Sequence, residues 1–158
     1  METIREATAA DAACISRLNI DVQKLHADAL PHLFKQPSAT TFPPAAVVEL
    51  MAEPHNIFFL AEVDGAAVGY VWVEIRRRPE DAAQFARNSV LIHHISVTPA
   101  HQGHGHGDRL MVAVKALAKA GDITTVVLDT WSFNTEAHRF FERQGCSIFN
   151  YRLWTEVT

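Results

Sequence analysis

The segment from Val90 to Gly121 constrains the fold more than any other part of the chain. An apolar-rich run, Val90 to Val97, passes through Thr98-Pro99-Ala100-His101 into Gln102-Gly103-His104-Gly105-His106-Gly107-Asp108, where three glycines occupy alternate positions. Leu110, Val114 and Leu117 then recur at helical steps, and Gly121 closes the pattern as a C-terminal cap. A strand, a glycine turn and a helix start leave backbone N–H groups unpaired and aim the positive end of the helix dipole at one point. Such a point binds anions, phosphate above all. Two common phosphate motifs are excluded. A P-loop requires Lys-Ser or Lys-Thr after its last glycine, and the dinucleotide fingerprint G-x-G-x-x-G requires a later third glycine than Gly107.

The remaining patterning gives a strand over Thr3–Ala7 and a capping box at Thr8-Ala9-Ala10-Asp11. The helix it opens sets Ile15, Leu18, Val22 and Leu25 on one face. A short helical piece broken by Pro31 is expected over Asp28–Phe34, a loop over Gln36–Pro44, and a helix from Pro43-Pro44 through Met51. Asn56–Val63 and Ala66–Ile75 read as strands joined by the hairpin signal Asp64-Gly65, and Arg76–Arg87 as a polar loop. Asn88–Val97 is the third long strand and Ile123–Thr130 a strand covered on both faces. Asn134 caps a helix that turns Ala137, Phe140 and Phe141 inward and ends at Gly145; Ser147–Val157 reads as a last strand. This order predicts an α/β sandwich with a mixed sheet, residues 1–158 forming a single domain. A net charge of −4 provides no field to recruit nucleic acid or an anionic membrane, and Arg76-Arg77-Arg78, the one basic run, reads as solvated loop. Cys14 and Cys146 lack metal-type spacing and are expected to be buried reduced thiols. The N-terminus lacks a signal-peptide pattern and no apolar run spans a bilayer, so a cytoplasmic location is expected by default.

The pattern Gln102-x-x-Gly105-x-Gly107 closely resembles the acyl-CoA pyrophosphate loop of the GNAT acetyltransferase family: Arg or Gln, two residues, Gly, one residue, Gly or Ala. His94-Ile95-Ser96-Val97-x-Pro99 is similar to that family's fourth strand, and Trp131-Ser132-Phe133-Asn134-x-x-Ala137-x-Arg139-Phe140-Phe141-Glu142-x-x-Gly145 to its second signature. The specific match covers Leu91–Gly145; earlier residues match in element order only. The resemblance implies a central sheet of about six to seven strands, mostly antiparallel, flanked by about four helices, with the fourth and fifth strands splayed apart. It implies acetyl-CoA as donor. The backbone of Gln102, Gly103, His104, Gly105, His106, Gly107 and Asp108 would hold the pyrophosphate, and the backbone of Ile95, Ser96 and Val97 would pair with the pantetheine arm as an added strand. Asn134 would bond the pantetheine amide region, cap a helix, or both. At the position of Phe141 many relatives carry a tyrosine that protonates the departing thiolate; phenylalanine has no proton to give.

His101, His104 and His106 fall within six residues, but a turn wrapped around a pyrophosphate points its side chains apart, so no metal site is expected there. Their imidazoles instead stand in for fixed positive charge, which predicts tighter CoA binding at about pH 6 than at about pH 8. An alkylamine is neutral in only about one molecule per 10³ at pH 7, so acetylation needs a base for its proton. By the resemblance His93 is that base, with a hydrogen-bonded core histidine as the plain alternative. Neighbouring strand residues face opposite ways, so at most one of His93 and His94 is expected at the cleft unless the strand bulges. Glu74, closing the preceding strand in phase with Tyr70 and Trp72, is a second candidate base or ammonium anchor. A backbone N–H near Ile95 would carry the oxyanion. His26, Asp28 and His32 lie where the family's acceptor site forms. The functional expectation is acetyl transfer to a primary amine, small or peptidic, by direct attack, in a possible homodimer. A catalytically weak acyl-CoA sensor and a histidine-rich metal binder are the alternatives.

Overall fold

A computed structural model describes every residue from Met1 to Thr158. It contains strands β1 (Glu2–Glu6), β2 (Asn56–Val63), β3 (Ala66–Arg78), β4 (Arg87–Val97) and β5 (Val126–Leu128), and helices α1 (Ala12–Ala29), α2 (Pro44–Ala52), α3 (His106–Ala120) and α4 (Thr135–Arg143). The strands form one sheet in the order β1-β2-β3-β4-β5. All neighbours are antiparallel except β4 and β5. The sheet is mixed, as expected, but has five strands rather than six or seven.

Alternation along the strands splits the core between the two faces of the sheet. Phe58, Leu60 and Tyr70 meet Ile15, Leu18 and Val47 of α1 and α2 on one side. Val71, Val73, Val90 and Ile92 meet Leu110, Met111 and Val114 of α3, together with Phe141 of α4, on the other. The β2–β3 turn is a tight left-handed one, with φ 49° at Asp64 and 80° at Gly65, which suits the Asp-Gly pair. The Asp11 carboxylate accepts from the Thr8 N–H at 2.8 Å, as the capping box predicts. It also receives two bonds from Arg5, at 2.8 and 2.9 Å, and Arg5 reaches Glu62 as well, tying β1 to β2.

Several boundaries differ from the sequence reading. α1 runs unbroken to Ala29, and Asp28–Phe34 forms no second helix; the chain closes a turn instead, Leu33 N–H to Leu30 carbonyl at 3.0 Å. Leu25 of α1 is exposed rather than packed, while Ala27, two residues further on, is buried. β3 continues to Arg78, so Arg76-Arg77-Arg78 is strand paired with Ser89, Asn88 and Arg87 rather than loop, and Glu74 lies inside β3 rather than at its end. β5 keeps only the centre of Ile123–Thr130. Ser147–Val157 forms no strand: no partner lies beside it, and a strand's backbone groups need one. Cys14 and Cys146 are free thiols, half-buried rather than buried. No helix is long and apolar enough to cross a membrane.

Candidate active site

The turn after β4 is built from backbone conformation. Gly103 and Gly105 have φ of 77° and 81°, a region that side chains with a Cβ rarely enter, and an added Cβ on either would meet open space. Gly105 is the N-cap of α3. The N–H groups of Gly103 through Asp108 find no acceptor within the protein, backbone or side chain. Six consecutive donors at a helix start fit a pyrophosphate, which is what the turn would hold in acetyl-CoA. Gly107 answers a different need. A Cβ there would lie 3.0 Å from the Phe140 ring, so this glycine lets α4 lie against α3.

The side chains of the turn do not all point outward. Gln102 donates to the Val97 carbonyl at 3.0 Å and is exposed, as is His104, whose ring contacts the Gln102 carbonyl at 2.9 Å. His106 is buried, which corrects the outward expectation, with its ring 6.2 Å from His101 and 6.3 Å from His104. No three His, Cys, Asp or Glu side chains converge as a metal set. Asp108 accepts from Gln144 at the end of α4.

β5 pairs with β4 only at Val90, Leu91 and Ile92. Beyond Ile92, the edge of β4 away from β3 has no strand beside it through His93, His94, Ile95, Ser96 and Val97. The fourth and fifth strands therefore part where an extended ligand would add to β4. Gly69 supports this edge from the other side: a Cβ on it would sit 2.7 Å from the Ser96 carbonyl oxygen.

At the point of parting, β4 bulges. Trp72 pairs with His94 and Val73 with Ile92, so His93 is the extra residue. Trp72 touches both histidines, stacking on His93 at 4.2 Å and meeting His94 edge-on at 5.0 Å. The bulge, the exception allowed to strand alternation, thus brings both rings against Trp72. His93 Nε2 lies 2.6 Å from Glu74 Oε2, both side chains about a quarter exposed. Burial pushes the Glu74 carboxyl up, but the His93 hydrogen bond and then Arg76 bring it below its ordinary value. With Nε2–H donated to Glu74, the His93 Nδ1 lone pair is free. His94 is bound inward: its Nδ1 is 3.0 Å from the Tyr70 hydroxyl, which accepts from Asn19 at 2.9 Å. Burial first, and then the neighbouring charges of His93 and His26, lower His94 to about 4. Burial likewise raises the Tyr70 phenol, against the Asn19 bond.

The sequence reading missed Asn19 and Tyr70. Their signal was present: Asn19 is a polar residue beside Leu18 on the packed face of α1. Of the three residues named near the end of α1, only His26 packs against other rings. It lies 5.1 Å from Phe34 and 5.7 Å from Phe133, while Asp28 and His32 are exposed. Asn134 caps α4, its Oδ1 accepting from Ala137 N–H at 3.1 Å, and its side-chain NH2 makes no bond within the protein. Phe141 is buried in the α3-side core, 5.1 Å from Phe140.

A splayed β4–β5 pair and a donor-rich turn leading into α3 give this α/β fold a cleft open to an extended, anionic ligand. The Acetyltransferase (GNAT) family model matches residues 19–146, and the chain belongs to that family. It is 35% identical over 105 residues to N-alpha-acetyltransferase RimI of Mycobacterium tuberculosis (strain ATCC 25618 / H37Rv), a match covering 66% of this chain and 60% of the relative. The chain thus matches less than two thirds of that protein's length. Among solved structures it superposes on the tetramutant of the BH1408 protein from Bacillus halodurans with a TM-score of 0.93, over 98% of this chain and 99% of the other, at 21% identity. It superposes on AAC(6')-Iy, solved with a bisubstrate CoA-S-monomethyl-acetylneamine analog, with a TM-score of 0.76 over 100% and 99% of the two chains, at 20% identity. At these identities the two likenesses are likenesses of fold.

Proposed function

We propose that the chain transfers the acetyl group of acetyl-CoA to a primary amine by direct attack, with His93 as the base. The observation that carries this reading is the His93–Glu74 pair at 2.6 Å, at the bulge where β4 and β5 part. The pyrophosphate would rest on the free N–H groups from Gly103 to Asp108, with Gln102 bracing the turn against Val97. The pantetheine arm would lie along Ile95, Ser96 and Val97, and the free amide nitrogen of Asn134 would reach it from the other wall. Acetyl-CoA supplies the acyl carbon and the thiol leaving group. The amine nitrogen attacks the thioester carbon and His93 Nδ1 takes its proton. Glu74 fixes the ring and balances the imidazolium that forms. The tetrahedral oxygen would accept from a backbone N–H near Ile95, held still by the β3 ladder. The C–S bond then breaks, and the thiolate leaves without a tyrosine hydroxyl, because Phe141 occupies that position. A thiol with a pKa of about 8.5 tolerates departure to water.

Candidate acceptors are peptide N-termini, lysine side chains, polyamines and amine antibiotics, and the name of the RimI relative, an N-alpha-acetyltransferase, favours the first. Thiol release from acetyl-CoA, followed against a panel of peptides, polyamines and amine antibiotics, tests the reading. Turnover with at least one amine class is expected. Binding of acetyl-CoA with no turnover on any of them would favour the sensor alternative, to which the missing Phe141 hydroxyl lends its one support.

A further inference from the structure

The basic run Arg76-Arg77-Arg78 takes no part in the chemistry described above, but it borders the residues that do. β2 begins at Asn56, opposite Glu74, and the Ile75 N–H donates to the His55 carbonyl at 2.8 Å. Beyond that point β3 has only β4 beside it. Alternation puts Trp72, Glu74, Arg76 and Arg78 on one face of β3. The contacts agree: Arg76 Nε is 3.3 Å from Glu74 Oε1, and Glu74 Oε2 is 2.6 Å from His93 Nε2. A guanidinium thus stands one carboxylate away from His93. An open groove of about 860 Å³ runs here, lined by Pro54, His55 and the run from Glu74 to Pro79. Glu74 belongs both to this groove and to the His93 pair.

Charge in the groove is unbalanced. Its walls carry three arginines against one carboxylate, in a chain whose net charge is −4. All three arginines are exposed. Arg78 lies directly opposite Arg87 of β4 in the ladder, and like charges so placed are destabilising. Little offsets them. Arg78 reaches Asp81 only at 3.7 Å, and the other oxygen of that carboxylate accepts from the Ala83 and Gln84 N–H groups at 2.8 Å. Arg77 and Arg87 pair with no carboxylate.

We infer that this groove takes the acidic stretch of a peptide acceptor, whose N-terminal amine sits at His93 and Glu74 and whose next residues carry carboxylates. The inference rests on the acetyl-transfer reading above and names its substrate class. A strand rises about 3.3 Å per residue, so Arg76 and Arg78 stand about 7 and about 13 Å beyond Glu74. An extended peptide rises at the same rate. With its first residue at the His93–Glu74 pair, its third side chain meets Arg76 and its fifth meets Arg78. A carboxylate at the fifth residue also relieves the repulsion between Arg78 and Arg87. Guanidinium groups hold carboxylates through two parallel bonds, which favours acids over other polar side chains. The same positive charge repels polyamines, aminoglycosides and lysine-rich peptides.

The test measures binding apart from turnover, by fluorescence anisotropy of C-terminally labelled peptides with CoA present. Each peptide begins with alanine and a free amine. The next four residues are all glutamate, all glutamine or all lysine, and a further peptide carries its glutamates well down the chain, beyond the reach of the groove. At about 0.1 M salt the glutamate peptide should bind at least ten-fold more tightly than the glutamine peptide, and the lysine peptide more weakly than either. That advantage should shrink at about 1 M salt, where the screening length falls from about 10 to about 3 Å. It should vanish when the glutamates are moved away, and in Arg78→Glu. Arg78 bonds neither Glu74 nor His93, and the ratio of two peptides on one protein does not depend on the fraction folded. No binding of the glutamate peptide, equal binding of the glutamate and glutamine peptides, tightest binding of the lysine peptide, or a preference that survives Arg78→Glu would each overturn the proposal. Thiol release with the same peptides separates it from the reading on which it rests: charge-selective binding without acetyl transfer would leave the groove standing and remove the transferase.

Discussion

His93 and His94 are neighbours in the chain and opposites in chemistry. The bulge turns both toward Trp72, yet His93 is left at the cleft with a carboxylate while His94 is enclosed by Tyr70, Asn19 and Trp72. His94 lowered to about 4 must stay neutral in the folded protein while the unfolded chain titrates near the ordinary value. The unfolded state then binds more protons, so stability is full above about pH 6.5 and declines as pH falls towards 4. At pH 5 this one group removes about 2 kcal/mol. Urea unfolding at pH 7 and pH 5 should show that loss in the wild type and a smaller one in His94→Gln; equal losses would remove His94 as the cause. Gly69 sets a second test at this scale. Ala would drive a Cβ into the Ser96 carbonyl, so Gly69→Ala should cost about 1–3 kcal/mol, read in the same unfolding assay, and weaken acetyl-CoA binding through the edge it supports. The His-His pair was visible in the sequence, but its division of labour was not. The bulge is a property of the β3–β4 register, and the partners of His94 lie 24 and 75 residues away in the chain.

Elements defined by local rules were the legible ones. The Asp-Gly hairpin, the Thr8–Asp11 box, the Asn134 cap and the glycine turn all rest on φ preferences or on bonds spanning a few residues, and all lie where the spacing put them. Elements defined by partners were not. Arg76–Arg78 reads as loop because it is charged, yet Arg87–Ser89 pairs with it. Ser147–Val157 reads as strand because it alternates, yet nothing within the chain pairs with it. The turn before α3 offers the next test. Gly105→Val places a β-branched residue at φ 81° and should weaken acetyl-CoA binding at least ten-fold in calorimetric titration, with a smaller change in unfolding midpoint. In α4, Phe141→Tyr restores a hydroxyl at the relatives' tyrosine position. If thiolate protonation limits the reaction, single-turnover acetylation should speed up; an unchanged rate places the limit earlier.

Seen whole, one irregularity organises the molecule. The sheet is continuous from β1 to the middle of β4, and then the bulge at His93 and the end of the β5 ladder open it in one place. Donor N–H groups close one end of that opening and the His93–Glu74 pair stands at the other. A ligand filling it joins β4, β5 and α3, so acetyl-CoA at ~100 times its dissociation constant should add about 2.7 kcal/mol to stability, seen as a rise in unfolding midpoint. The central claim, that His93 removes the amine proton while the turn and the β4 edge hold the donor, is tested most directly by single-turnover acetyl transfer at saturating acetyl-CoA. The measurement compares wild type with His93→Gln on the best amine of the panel. The account predicts a rate lower by about 10²–10⁴-fold in the variant, with acetyl-CoA affinity unchanged. Equal rates in the two proteins would contradict it.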